Sequence, residues 1–500
     1  MMEQKNTLSN YLYNNLKEQI LTGILPYGAA LPSISQLCDI YNVGIRTVRD
    51  VLKKLAQEGF IRTEERRPSV VIYCQCVPNT EKAVYTVLQH KRAVLSVYHT
   101  IAALMPPLFT FSADICDKEK LQQYLWLLEQ DKRYHRNKWQ IYSVFLHNLL
   151  DASENLLFRD IYVSLEIYAE IPFFWERRED FPYCGERAGK QDTYWRPDLL
   201  KPETTAEGFH YFSALFRSTS NIIETYMENL SFLYPKIEDS GRDPFSWSST
   251  LGRDHYYMQI TQDIIDKIGT GYYGDREFLP PEAVLARQYR VSVATIRKAL
   301  ATLNTLGFCR TYNVKGTQVV LFNDAATYSC MKDRLYRKDT LIYLSGLQFM
   351  ILAIPPAVVL IFERITPDMK KDMKARCQLP NSIPVDIIME CVIGMLPLPP
   401  FQHIMREVKS LLHWGYYFSF YAEGNHRSNK INLMGLEALD HLLQNDCAAF
   451  TEQLSDCYRY LLAFVRDFMT ECGLPEAERL VTPDKCYCAF SLSCMEEGPD

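Results

Sequence analysis

The stretch Val43–Leu55, VGIRTVRDVLKKL, recurs 248 positions later as Val291–Leu303, VSVATIRKALATL. The correspondence runs without a gap from Leu16/Ile264 to Ile72/Val320, and 17 of those 57 positions are identical. An internal duplication constrains a chain more tightly than its composition does, because whatever one copy folds into, the other must fold into as well. The shared residues either shape a backbone or fill a core: Gly23/Gly271, Leu31-Pro32/Leu279-Pro280, Leu37/Leu285, Tyr41/Tyr289, Leu52/Leu300, Leu55/Leu303 and Gly59-Phe60/Gly307-Phe308.

Each copy reads as three helices followed by a hairpin. In the first, Tyr11-Leu12, Leu16, Ile20 and Leu21 share one helical face that ends at Gly23. Ile34, Leu37, Cys38 and Tyr41 make a second helix, the turn at Asn42-Val43-Gly44 interrupts it, and Val48, Val51, Leu52 and Leu55 resume the period. That is a helix-turn-helix. Gly59 closes the third helix, and Phe60-Ile61-Arg62-Thr63 and Val70-Val71-Ile72-Tyr73 read as two short strands around a basic loop, the wing.

With Leu-Pro-Ser, then the turn, then TVRDVLKKL, GFI and a basic wing, this pattern resembles the winged helix-turn-helix of GntR-family bacterial transcription regulators. The second copy is similar to it too, through LPPE, VSVATIRKAL and a KGT wing. The resemblance covers about a quarter of the chain. It implies a sequence-specific, cytoplasmic DNA-binding regulator, a repressor or activator, whose partner is a double-stranded operator.

Five hundred residues are too many for one core and suggest three or four domains. The net charge of −6 argues against nucleic acid until it is divided: residues 5–73 carry a net +3 and residues 254–322 a net +2, leaving −11 elsewhere. MMEQKNTLSN has no signal-peptide pattern, and fifteen cysteines without a regular framework fit a reducing cytoplasm. Cys74-x-Cys76 and Cys486-x-Cys488 are short of a metal quartet. Thr340–Phe362 is uncharged and long enough to span a bilayer, but Pro355-Pro356 interrupts it. Its first half has a less apolar counterpart around Pro106-Pro107, so a duplicated buried helix is expected and no membrane partner.

The fold class expected is mainly α, with two winged helix-turn-helix domains alternating with two all-helical bundles. The boundaries are 1–77, 78–236, a linker at 237–253 containing Gly, Pro and Ser, 254–323 and 324–500. Helices are expected at Lys82–Leu104, Lys118–Asp131, Trp139–Leu150, Leu156–Ala169, Thr204–Arg217 and Ser220–Tyr234, with a long loop at Pro172–Lys201. Segments 158–174 and 401–417 align loosely, as do 215–234 and 442–461, so the duplication extends to the helical parts. Those parts resemble the all-helical sensor of the fatty-acid-regulator branch of the family, best at FLHNLLDASENLLF (145–158). This implies a small-molecule effector of unknown identity, for which the apolar, aromatic Leu341–Phe362 suggests an apolar pocket, core packing being the other account of the same residues. With Asn155 aligned, however, Tyr142 and Leu146 occupy the sensor's Asp and His places. His147 is off register, and His210, His403, His413, His426 and His441 show no paired ligand spacing. No metal and no cofactor are expected.

A recognition helix enters the major groove N-terminus first. The candidate DNA contacts are therefore Arg46, Thr47, Arg49, Arg66, Arg67 and Ser69 in the first copy. In the second they are Ser292, Thr295, Arg297, Lys298, Lys315, Gly316 and Thr317. Threonine hydroxyls donate to phosphate, and arginine grips phosphate or guanine with two hydrogen bonds. Two basic positions usual in the family are Ile45/Val293 and Ser35/Ala283 here. A chain with both modules is expected to act as a fused pseudodimer on an asymmetric operator, or to form a homodimer with four modules. The alternative, drawn from the missing arginines, is a degenerate interaction protein that binds no DNA. An enzyme is not expected: no Gly-rich phosphate cradle or nucleophile elbow occurs, and the second module sits where a fused aminotransferase-like domain would lie.

Overall fold

The computed structural model describes parts of 12–38, then residues 44–64, 68–73, 80–117, 119–120, 138–169, 205–241, 245–249, 256–269, 272–320, 334–379, 382–412, 425–484 and 487. Among the described residues the protein is mainly α, with two small two-stranded sheets. It divides into two compact units. The first comprises Met1–Ala152, Phe158–Asp254 and Leu398–Ile404; the second comprises Ser153–Leu157, His255–Pro397 and Met405–Asp500.

The first winged module packs α1 (Ile45–Gln57) through Val48, Val51, Leu52 and Leu55 onto Leu12, Leu16, Ile20, Leu31 and Leu37. Strands β1 (Ile61–Arg62) and β2 (Val70–Val71) pair Ile61 with Val71. At the end of α1 the Phe60 amide donates to the Leu55 carbonyl and the Gly59 amide to Ala56. This closure needs a residue at positive φ, and Gly59 has φ 80°.

Beyond this module, the first unit holds α2 (Thr80–Gln89), α3 (Lys91–Ile115), α4 (Lys138–Asp151), α5 (Phe158–Tyr168) and α6 (Thr205–Leu233). α3 and α6 run antiparallel, joined by Lys91 to Ser231 at one end (3.0 Å) and Thr205 to Asp114 at the other (2.9 Å). Between them Phe109 stacks on Phe212 and meets Tyr162 of α5 edge-on. Helices expected at Lys118–Asp131 and the loop expected at Pro172–Lys201 lie outside the described residues, apart from the first residues of the former.

In the second unit the winged module repeats many of the first one's backbone hydrogen bonds, such as Leu279 to Thr317 for Leu31 to Ser69. It uses α7 (Tyr256–Gly269), α8 (Glu282–Gln288), α9 (Val293–Thr305), β3 (Cys309–Tyr312) and β4 (Gly316–Val319). Gly307, φ 84°, closes α9 as Gly59 closes α1, with Phe308 donating to Leu303. A bridge Ala30↔Val70 has its counterpart in Phe278↔Gln318, 248 residues on.

The rest of this unit is built on α10 (Arg334–Ile361) packed against α15 (Cys447–Glu471), with α11 (Pro367–Cys377), α12 (Pro384–Met395), α13 (Pro399–Leu412, whose first turn belongs to the first unit) and α14 (Asn425–Leu443). Here the sequence misleads. Pro355-Pro356 and Pro106-Pro107 do not interrupt their helices, which continue to Ile361 and Ile115. An internal proline costs about 3 kcal/mol, but Ile351, Leu352, Ala353, Ile354, Ala357, Val358 and Ile361 are all 0–1 % exposed, and that burial outweighs it. Both helices are apolar and long enough to cross a membrane, and 72 % and 89 % of their most apolar stretches are buried in the protein.

The turn Ser153–Leu157 is built into the second unit by a closed set of hydrogen bonds. Asn155 Nδ2 donates to Ser345 O (2.9 Å) and Gln348 Oε1 (2.7 Å), Asn155 Oδ1 accepts from the Leu157 amide (2.8 Å), and the Leu156 amide donates to Ser345 Oγ (3.1 Å). Gln348 Nε2 in turn donates to Val481 O (2.6 Å). The side-chain amides of Asn155 and Gln348 are thus partnered at both oxygen and nitrogen, as their burial demands.

Candidate nucleic-acid interface

Helix α9 starts at Ser292, whose Oγ accepts from the Thr295 amide (3.2 Å) and lies 2.8 Å from Thr295 Oγ1. Its buried stripe, Ile296, Ala299, Leu300 and Leu303, turns Ser292, Ala294, Arg297, Lys298 and Ala301 outward. Arg297 Nε lies 2.7 Å from Glu282 Oε2, and Lys298 Nζ sits 3.9 Å above the Tyr257 ring. Both cations are thus on the open face, held by neighbours from α8 and α7.

Helix α1 starts at Gly44, which has no side chain to cap it. Its exposed face carries Ile45, Arg46, Arg49, Lys53 and Lys54, with Thr47 half-buried. Arg46, Arg49 and Lys53 follow the i, i+3, i+7 spacing that puts them in one row. Among the described residues neither Arg46 nor Arg49 makes an ion pair. The matching row in the second module is Ala294, Arg297 and Ala301, so this row carries three cations in one copy and one in the other, while exposed Lys298 stands where the first copy has exposed Asp50. Lys53 was not among the sequence candidates; its position seven after Arg46, opposite the apolar stripe, was the signal.

Wings differ as well. In the second module Lys315 and Gly316 (φ 102°) lie exposed beside Val314, which is fully exposed at φ 71°. Thr317 does not join them. It is 6 % exposed with Oγ1 3.0 Å from Thr311 Oγ1, because it shares the inner face of β4 with Val319. Ser69, its counterpart, is half-buried, and its carbonyl accepts from the Leu31 amide (2.8 Å). Arg66 and Arg67 lie outside the described residues. Ile45, where the family has arginine, is 56 % exposed.

Each first helix is locked to its module by a tyrosine, an acid and a lysine. Tyr13 and Lys17 bind Glu58; the Tyr13 hydrogen bond holds the Glu58 carboxyl below its usual range. In the other module Tyr289 and Lys267 bind Asp263, and burial and then the Asp263 bond push the Tyr289 phenol up.

The core of the first unit pairs His147, off register for the sensor's metal site, with an acid the sequence did not single out. His147 Nε2 lies 2.6 Å from Glu166 Oε2, both side chains being 2 % exposed. Burial, then the Glu166 carboxylate, pushes the adjacent Tyr162 phenol well up. Among the described residues no group of three His, Cys, Asp or Glu side chains is placed to hold a metal ion.

Two winged helix-turn-helix domains, each with an exposed recognition helix, have the architecture of DNA-binding domains. The family model of bacterial regulatory proteins, gntR family, matches residues 8–71 and again 256–319. The chain thus carries two GntR-family DNA-binding domains in tandem. No curated protein matches the sequence significantly. Similar solved structures include the Listeria monocytogenes protein described as "Lar controls the expression of the Listeria monocytogenes agr system and mediates virulence" (16 % identity, 43 % of this chain and 98 % of that one, TM-score 0.22). Others are a Streptococcus agalactiae GntR (15 %, 41 % and 99 %, TM-score 0.20) and E. coli McbR/YncC (16 %, 47 % and 100 %, TM-score 0.22).

Proposed function

We propose that this protein is a cytoplasmic, ligand-responsive transcription regulator and not an enzyme, and that it acts as a fused pseudodimer on an asymmetric operator. The observation that carries this reading is the pair of recognition faces. The scaffolds share many backbone hydrogen bonds, whereas the row Arg46, Arg49, Lys53 is matched by Ala294, Arg297, Ala301. Two different faces on one chain read two different half-sites, and covalent linkage raises the effective concentration of the second once the first has bound. A small molecule bound among the helices of either unit would regulate by favouring one spacing of the modules.

The exposed Ile45 in place of a cation favours a second reading, in which the modules have lost DNA binding and serve as interaction domains. Selection from a random DNA pool, repeated with Arg49→Ala and Arg297→Ala, separates the two. Unequal half-sites, each lost with one substitution, support the pseudodimer. A palindrome sensitive to one substitution points to a homodimer with one silent module, and no enrichment at all refutes the regulator reading.

A further inference from the structure

Ile45 and its counterpart Val293 are the first residues of α1 and α9, at the end of each recognition helix that leads into the groove. The two copies treat this position differently. Val293 is partly buried and packs on the core of its own module. Ile45 is 56 % exposed, and Gly44 before it is exposed and has no side chain to overhang it. On the helix surface Ile45 adjoins Arg49, four residues on, and it is followed directly by Arg46, both exposed. The first module thus holds an apolar side chain in water inside its basic face.

Only one group in the major groove suits such a side chain. Guanine offers N7 and O6 there, adenine N7 and an amino group, cytosine an amino group, and thymine a methyl group beside O4. Isoleucine set against a polar edge strips water from it and returns no hydrogen bond. Against the thymine methyl it removes apolar surface from water on both sides. A β-branched side chain also has little rotamer freedom to lose on docking. We propose that Ile45 is a specificity-determining residue that makes the first module select a thymine, through its C5-methyl, in its half-site; this rests on the two-module regulator reading above. Arg46 and Arg49 supply the attraction to the DNA, so the apolar contact has only to choose the base. Val293, smaller and drawn onto its own core, has less to offer, and the two half-sites then differ in chemistry as well as in charge.

The test uses the full chain and the DNA it selects from a random pool, the half-site lost with Arg49→Ala being the first module's. Each thymine of that half-site, on either strand, is replaced in turn by deoxyuridine, which keeps every hydrogen-bonding group and lacks only the methyl. One replacement is expected to weaken wild-type binding about fourfold in fluorescence anisotropy, the worth of one buried methyl-sized group, and to leave binding by Ile45→Ala unchanged. At the same place 5-methylcytosine should bind wild type more tightly than cytosine by about the same factor, and the variant equally. A first half-site with no preferred thymine, or one that tolerates deoxyuridine throughout, would overturn the proposal and leave the regulator reading standing. Equal penalties in wild type and Ile45→Ala would overturn the role of Ile45, and so would a loss of binding by the variant that is the same on every sequence. Failure of the wild type to select any DNA would refute the regulator reading and this proposal with it.

Discussion

Replacing Asn155 by alanine tests how the second unit is held together. The side chain is 5 % exposed and serves Gln348 Oε1, Ser345 O and the Leu157 amide. Ser345 O keeps its place in the α10 ladder, but Gln348 is fully buried and Leu157 is 0 % exposed, so one acceptor and one amide lose their partner out of reach of water. Each such loss costs about 1 to 1.5 kcal/mol, giving about 2–3 kcal/mol in all. Hydrogen exchange of the α10 amides reads this as an opening free energy, and protection there should fall about 30- to 150-fold. The fall should be shared by α15, which packs on α10, and should be absent from the first winged module. In a double-mutant cycle with Gln348→Ala the two losses should be non-additive by about 1 kcal/mol, since both remove the same bond. Protection of α10 within threefold of wild type would refute the claim that this turn is part of the second unit's core.

Glu282→Gln should raise affinity for DNA containing the second module's half-site up to about fivefold at low salt, since an exposed pair is worth at most about 1 kcal/mol and its loss frees Arg297; equal or weaker binding in fluorescence anisotropy would contradict the role given to Arg297. Gly59→Ala meets no atom within 4 Å, so its cost is backbone strain alone, about 1–2 kcal/mol, read as faster exchange in α1. Burial pushes the Cys309 and Cys457 thiols up to about 12. Folded protein at pH 8 should therefore leave both unmodified by iodoacetamide. Their protonated form is favoured by folding, so the stability they contribute is whole below pH 9 and is lost as pH rises toward 12, which denaturant titrations across that window would detect.

What could be read from the sequence was what neighbouring residues decide. Apolar residues three and four apart oblige Val48, Val51, Leu52 and Leu55 to one side and Arg46, Arg49 and Lys53 to the other. Gly59 and Gly307 each end a helix because the closure requires positive φ at one residue. Thr317 was within reach as well, since period-two alternation puts it on the side of Val319. Tertiary structure alone decided the rest, because the partners are far apart in the chain. Pro355-Pro356 stays helical only because a unit's worth of buried side chains offsets a local cost. Asn155 meets Gln348 across 193 positions, and Trp247 meets Asp160 across 87 and His403 across 156. A Ser-, Gly- and Pro-containing segment has no local preference that would hold it still, so its capture depends entirely on surfaces that exist only after the helices have packed.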